Sequence, residues 1–250
     1  MTKLKLPEVT LLMQETRETA LACLAIEDCV NKVEFGEVLV FTDKPDDFLR
    51  LDPLCNLHIV TTVDWPNKVD WCRFNWFGTQ YFLRTSHVLF IQWDSWVWDE
   101  SKWNPQFLKY DYCGSPWWYK DRRNVGNSGF SMKSTALMKY VYKHRDRFPC
   151  DTNIEDDLLC RHYRPTLEDE GFVWCPEKLA HDFGFELMRP SETHRSFGFH
   201  GMYNWRVALE ANEEKIMQRA EIAYRSDYIR ARMWQSFVDR NPEVAARFAA

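Results

Sequence analysis

Four apolar runs in the first hundred residues are continuous rather than alternating. They are Val9–Gln14 (VTLLMQ), Gly36–Asp43 (GEVLVFTD), Leu57–Val63 (LHIVTTV) and His87–Asp94 (HVLFIQWD). A strand that is apolar at every position is buried on both faces, so a largely parallel sheet covered by helices is expected. Between the strands the spacing becomes helical. Leu21, Leu24, Ala25 and Cys29 share one face over Thr19–Val33, and a second helix is predicted over Lys68–Leu83. Strands alternating with helices define an α/β sandwich. In open sheets of this kind ligands sit beyond the carboxyl ends of the strands, and here those ends carry Glu15, Asp43 and Asp94.

The middle of the chain is less regular. Tyr110–Trp118 reads as a short strand entering a Gly-Ser-Pro turn, and Val125–Ser134 (VGNSGFSMKS) as a tight loop, with Gly126 and Gly129 about Asn127-Ser128, feeding the start of a strand or a helix. Helices are predicted over Thr135–Phe148 and Ile154–Tyr163, the second opening with three acids that suit a helix N-terminus. Gly171–Pro176 reads as a further strand, and Phe197–Gly201 as a glycine-bounded aromatic loop. From Arg206 the pattern is charged and helical. The expected organisation is one domain over residues 1–205 and a helical C-terminal extension over 206–250.

Composition narrows the function. The chain has 250 residues, 45% of them apolar, enough for a large core. A net charge of −5 argues against a general binder of nucleic acid or anionic membranes, without removing a local basic cleft. The 12 tryptophans would either line a sugar-binding cleft or pack the core. The eight cysteines include no C-x-x-C pair, the opening MTKLKLPEVTLLMQET meets acids before any leader-length apolar run, and no apolar run could span a bilayer. Reduced, mostly buried cysteines and a cytoplasmic location without a membrane span are expected.

Candidate chemistry is spread along the chain. Asp94, at the end of an apolar strand, would be a rigid oxygen ligand for a hard divalent cation, or simply a solvated strand end. Glu155, Asp156 and Asp157 would favour the helix dipole, or supply a general base. His200, between Phe199 and Gly201, is a packing or surface group, or a ligand for an ion such as Mn²⁺.

With these features in this order, the sequence resembles a bacterial family of uncharacterised proteins classed as GT-A-like glycosyltransferases and labelled a domain of unknown function. The segments that carry the resemblance are GEVLVFTD, TSHVLFIQWDSWV, WNPQFLKYDYCGSPWW, VGNSGFSMKS, IEDDLLCRHYRPTLEDEGFVWCP, LAHDFGFE and FGFHG, which span roughly Pro7 to Asn204. The resemblance implies a GT-A-like, Rossmann-like mixed sheet, largely parallel and flanked by helices. It implies transfer of a sugar from a nucleotide-sugar donor to an acceptor hydroxyl, with inversion and with Mn²⁺ or Mg²⁺.

Residue by residue, the resemblance sets Asp94 at the family's Q-W-D acid, where GT-A enzymes carry the metal-binding D-x-D. This chain has Gln92 in place of the first acid, so Asp94 and His200 would hold the metal together with the donor phosphates. Asn127, Ser128, Gly129 and Phe130 match the loop that lies against donor sugar and acceptor, with Ser128 replacing a glycine. Asp156, with Glu155 as fallback, falls at the acidic pair that supplies the base. Glu15, Thr16, Asp43, Trp93 and Asp94 would contact the nucleotide, and Trp117 with Trp118 would form an acceptor platform. Arg73, Arg84, Arg122 and Arg123 are read as surface charges. The acceptor class stays open among saccharide, lipid-linked sugar and modified nucleic-acid base. Arg219, Arg225, Arg230, Arg232 and Arg240 read as a solvated helix face, with a homodimer through the C-terminal helices as the alternative. The rival functions are a non-catalytic nucleotide- or carbohydrate-binding module and a metal-dependent phosphoesterase.

Overall fold

The computed structural model describes residues 2–152 and 154–248. Its strands are β1 (Leu4–Gln14), β2 (Val33–Thr42), β3 (Leu57–Thr61), β4 (His87–Ile91), β5 (Trp96–Val97), β6 (Tyr112–Cys113), β7 (Phe130–Ser134), β8 (Gly184–Phe185) and β9 (Gly198–Phe199). Six form one mixed sheet in the order β3-β2-β1-β4-β7-β6. The first four are parallel, as their continuous apolar runs require: Leu11, Leu12 and Met13 of β1 and Leu39, Val40 and Phe41 of β2 are buried whichever face they point to. Helix α1 (Thr19–Lys32) covers one face with Leu21, Ala25, Ile26 and Cys29. Glu15 shapes the turn that leads into it, its Oε1 accepting the N–H groups of Thr16, Arg17 and Glu18 at 3.0, 2.8 and 3.1 Å.

β7 runs antiparallel to β4, with Ile91 opposite Phe130. The loop before β7 therefore lies beside the carboxyl end of β4, where Gly129 meets Gln92 and Ser95. A separate three-stranded sheet, β5-β9-β8, closes over that edge.

Several elements differ from expectation. The predicted helix over Lys68–Leu83 is broken: α2 spans only Lys68–Arg73, a π turn spans Phe74–Gly78 and a 3₁₀ turn spans Thr79–Tyr81. Phe-Asn-Trp-Phe-Gly is a poor helical run, and its rings serve two different apolar clusters, Phe74 against Phe41 and Trp65, Trp76 beside Leu137 and Leu159. The helix after β7 is α3 (Thr135–Lys143), shorter than expected, and the predicted Ile154–Tyr163 helix is one turn, α4 (Glu155–Asp157), running into a π turn over Leu158–His162. Gly171–Pro176 is not a strand. The Val173 N–H goes to the Asp111 carboxylate at 2.9 Å, and Trp174 makes only an isolated bridge with Tyr112.

The helices Glu213–Arg225, Asp227–Arg232 and Trp234–Arg240 are joined to the main core. Ile216, Ala220, Ala223, Ile229 and Phe237 belong to the same apolar cluster as Leu11 and Ile26. Arg219, read as part of a solvated face, is instead buried, ion-paired with Asp28 and 4.6 Å above the Trp96 ring. All eight cysteines are unpaired, and all but Cys55 are buried. Among the described residues no helix is long and apolar enough to cross a membrane.

Candidate active site

Two strand registers assemble the site. In the small sheet β8 and β9 are parallel, Gly184 opposite Gly198 and Phe185 opposite Phe199, so the next residues, Glu186 and His200, come out side by side. β5 pairs antiparallel with β9, and the Gly201 N–H donates to the Asp94 carbonyl at 3.2 Å, which brings Asp94 to the other side of the same histidine. His200 Nδ1 lies 2.9 Å from Glu186 Oε1, and Nε2 lies 3.5 Å from Asp94 Oδ1. Asp94 is 1% exposed; its Oδ2 accepts the Met202 N–H at 3.2 Å, while Oδ1 has no hydrogen-bond partner among the described residues. Burial of the imidazole opposes its protonation, but the Asp94 and Glu186 carboxylates overcome this and hold its pKa well above the ordinary histidine value.

The Asn127 loop closes on this group. Asn127 has φ +69°, a left-handed conformation that asparagine tolerates better than most residues. Its Nδ2 donates to Glu186 Oε2 at 2.7 Å, its Oδ1 accepts the Phe130 N–H at 3.2 Å, and its carbonyl accepts the Tyr112 hydroxyl at 2.7 Å. The Gly129 carbonyl accepts the Ser95 hydroxyl and the Gln92 N–H, at 2.5 and 3.1 Å. A Cβ on Gly129 would lie 2.2 Å from the His200 ring, so only glycine fits there.

On its other side the loop meets the acidic pair. The Ser128 N–H donates to Asp156 Oδ2 at 3.2 Å. Glu155 is buried, with Cys72 Sγ donating to its Oε2 at 3.1 Å. Burial alone would raise the Glu155 pKa, but the Lys68 and Lys133 ammonium groups outweigh it and hold the carboxyl below its ordinary range. Asp156 goes the other way: burial, then the charge of Glu155, push its pKa up to about 6. Lys133 is buried on β7 with Nζ 4.1 Å from the centre of the Phe90 ring, and burial holds its pKa below the ordinary lysine value. Two adjacent carboxyls in unequal surroundings are thus split into one that stays ionised and one that titrates near neutrality.

The structure thus brings Asp94, Asn127, Ser128, Gly129, Phe130, Asp156, Glu155 and His200 around one loop. Glu15, Thr16 and Asp43 lie at the ends of β1 and β2. Glu15 holds the turn before α1 and is raised in pKa by burial, Thr16 Oγ1 donates to Asp64 at 2.7 Å, and Asp43 keeps a buried Oδ1 without a partner among the described residues. No hydrogen bond among the described residues links these three to the His200 group. Trp93 is buried edge-to-face on Trp205, Trp117 is buried, and Trp118 is 56% exposed. Glu186, Lys133 and Cys72 were not read as site residues. A signal for Glu186 was present, in the echo of Gly-Phe-Glu (184–186) by Gly-Phe-His (198–200).

Among the described residues no group of three or more His, Cys, Asp and Glu side chains could hold a metal ion. Asp94 Oδ1 and His200 Nε2 are a compatible pair of donors, with the imidazole oriented by Glu186 as metal-bound histidines commonly are. Any further ligands would have to come from a bound molecule, and binding would displace the Nε2 proton.

The model of the family described as "Protein of unknown function (DUF5672)" matches residues 72–200, more than half of the chain, and the chain belongs to that family. No protein of curated function matches the sequence. Among solved structures, one described as a glycosyltransferase involved in the glycosylation of the major capsid of PBCV-1 is 13% identical, with a TM-score of 0.46 over 77% of this chain and 91% of that one.

Proposed function

We propose that this DUF5672 member is an inverting glycosyltransferase that moves a sugar from a nucleotide-sugar to an acceptor hydroxyl, with Asp156 as the base. The observation that carries the reading is the split acidic pair beside the Asn127–Phe130 loop: Asp156, with a pKa of about 6, is ionised at neutral pH yet basic enough to take a proton. The acceptor hydroxyl gives its proton to the Asp156 carboxylate as its oxygen bonds to the anomeric carbon. The bond from that carbon to the diphosphate oxygen breaks, and the nucleoside diphosphate leaves with the electron pair. Glu155, kept ionised by Lys68 and Lys133, maintains the basicity of Asp156. His200, oriented by Glu186, would offer positive charge to the leaving group. A Mn²⁺ or Mg²⁺ ion held by Asp94 and His200 would supply that charge as a Lewis acid. Glu15, Thr16 and Asp43, at the ends of β1 and β2, would contact the nucleoside, and the exposed Trp118 ring would contact the acceptor.

Gln92, in place of the first acid of a D-x-D, favours a second reading, a nucleotide- or carbohydrate-binding module that has lost turnover. One experiment separates them. The protein is incubated with a panel of nucleotide-sugars, with and without Mn²⁺, and followed by thermal stabilisation and by release of nucleoside diphosphate. The transferase reading expects binding and slow donor hydrolysis, with Asp156→Asn abolishing release while leaving donor affinity in place. Binding without release under any condition supports the module, and no binding across the panel sinks the transferase and the nucleotide-binding module alike.

A further inference from the structure

Beside the His200 group lies a cleft of about 450 Å³ whose wall includes Glu186, Arg189, Tyr203, Arg206 and Arg240. Its three arginines are not equivalent. Arg206 is neutralised by Glu213, at 3.1 Å, and by Glu243. Arg189 and Arg240 form no ion pair among the described residues. Arg189 keeps a buried guanidinium nitrogen without a hydrogen-bond partner, its group lying 5.3 Å from the centre of the Phe185 ring. Arg240 lies 4.6 Å over the Tyr203 ring and reaches only the neutral Asn204 side chain, at 3.3 Å. The carboxylates on the wall do little to balance them. Glu186 is committed to His200 and Asn127, which leaves Glu192 alone facing two cations.

Arg189 is half-buried with one guanidinium nitrogen enclosed and without a partner, which is unfavourable without an anion, while Arg240 is exposed at the mouth of the cleft with no carboxylate paired to it among the described residues. We infer that Arg189 and Arg240 form a phosphate-binding subsite whose ligand extends to the Glu186–His200 centre. Two unpaired guanidiniums match the double charge of a phosphate ester or diphosphate better than a single carboxylate, and their planar forks suit phosphate oxygens. The cleft is larger than an inorganic anion needs and shares Glu186 with the centre, so the phosphate belongs to a larger molecule, either the donor diphosphate or a phosphorylated acceptor. The inference concerns binding alone and stands apart from sugar transfer.

Titration calorimetry with inorganic pyrophosphate, uridine and guanosine diphosphates, and a hexose 6-phosphate tests it on the full chain. At least one of these should bind, more weakly as salt rises, and Arg189→Gln and Arg240→Gln should each reduce that affinity by about tenfold or more. Arg84→Gln, at an exposed cation elsewhere, should leave it unchanged. Arg189 sits outside regular structure, so R189Q reads the cleft even where R240Q loses its packing on Tyr203. Preference for the nucleoside diphosphates assigns the subsite to the donor; preference for the hexose phosphate assigns it to the acceptor. Failure of every phosphate compound to bind, or binding that both glutamine variants retain, overturns the inference, whatever the transferase assay returns.

Discussion

Asp156→Asn should make the protein more stable at alkaline pH and leave it unchanged at acid pH. Asp156 titrates at about 6 in the fold against an ordinary 3.8, because burial and the neighbouring Glu155 charge disfavour its ionised form. A carboxyl whose pKa is raised by folding destabilises the native state only when ionised. The effect is absent below about pH 4, grows as pH rises through the interval to about 6, and is complete above it. Each tenfold change in proton affinity is worth about 1.4 kcal/mol, so the full effect is about 3 kcal/mol. Asp156 is only half-buried and shares its proton equilibrium with Glu155, so about 2 kcal/mol is the figure to expect. Asparagine keeps an oxygen for the Ser128 N–H and has no charge to desolvate. For a chain of this length the gain corresponds to a rise of roughly 4–8 °C in Tm. Thermal unfolding of both proteins at pH 4 and pH 8 measures it. A loss of stability in D156N at pH 8, or an equal gain at both pH values, would refute the account of a strained carboxylate. If D156N also lost transfer, the residue would show the exchange of stability for activity expected of a catalytic base.

Three further outcomes follow from packing and charge. Gly129→Ala drives a methyl to 2.2 Å from the His200 ring and should lower stability by about 1–3 kcal/mol in urea unfolding; a neutral result would mean that the loop and His200 are not in contact. Glu186→Gln removes one of the two carboxylates holding His200 protonated, so NMR titration of that imidazole should show its pKa fall, and an unchanged value would remove Glu186 from the site. Arg219→Ala strands Asp28 beneath the C-terminal helices and should cost about 3–5 kcal/mol, whereas a cost below about 0.5 kcal/mol would return that segment to the status of a solvated extension.

The parallel half of the sheet was legible because uninterrupted apolar sequence overlaps each of β1 to β4; burial on both faces holds for β1, β2 and β4 over those runs, whereas β3, at the edge of the sheet, is only half-buried. β7 was not. Phe-Ser-Met-Lys-Ser has two serines and a lysine in five residues, yet all five are buried, because Asp111 accepts the Ser134 hydroxyl and the Glu155 and Asp156 carboxylates offset the Lys133 charge. Those partners lie 20 or more residues away in sequence, beyond the reach of any local pattern. The acids after β1 and β2 stood out for position alone: Glu15 accepts the N–H groups of the turn that leads into α1, and Asp43 keeps a buried oxygen without a partner among the described residues.

The small sheet shows why the His200 group was only half visible. Strands of two residues carry no periodicity, so nothing in Gly184–Phe185 or Gly198–Phe199 announces a strand. Parallel pairing in register nevertheless has a strict consequence: whatever follows each Gly-Phe must emerge beside the other. A glutamate after one and a histidine after the other then make an ion pair by construction, with Asp94 delivered to the far nitrogen by β5. The Phe185 carbonyl, which accepts the His200 N–H at 2.9 Å, continues the ladder one residue past β9 and fixes that placement through the backbone. The site's polarity thus depends on a three-strand register, and shifting β8 by one residue against β9 would part Glu186 from His200 while leaving the large sheet intact.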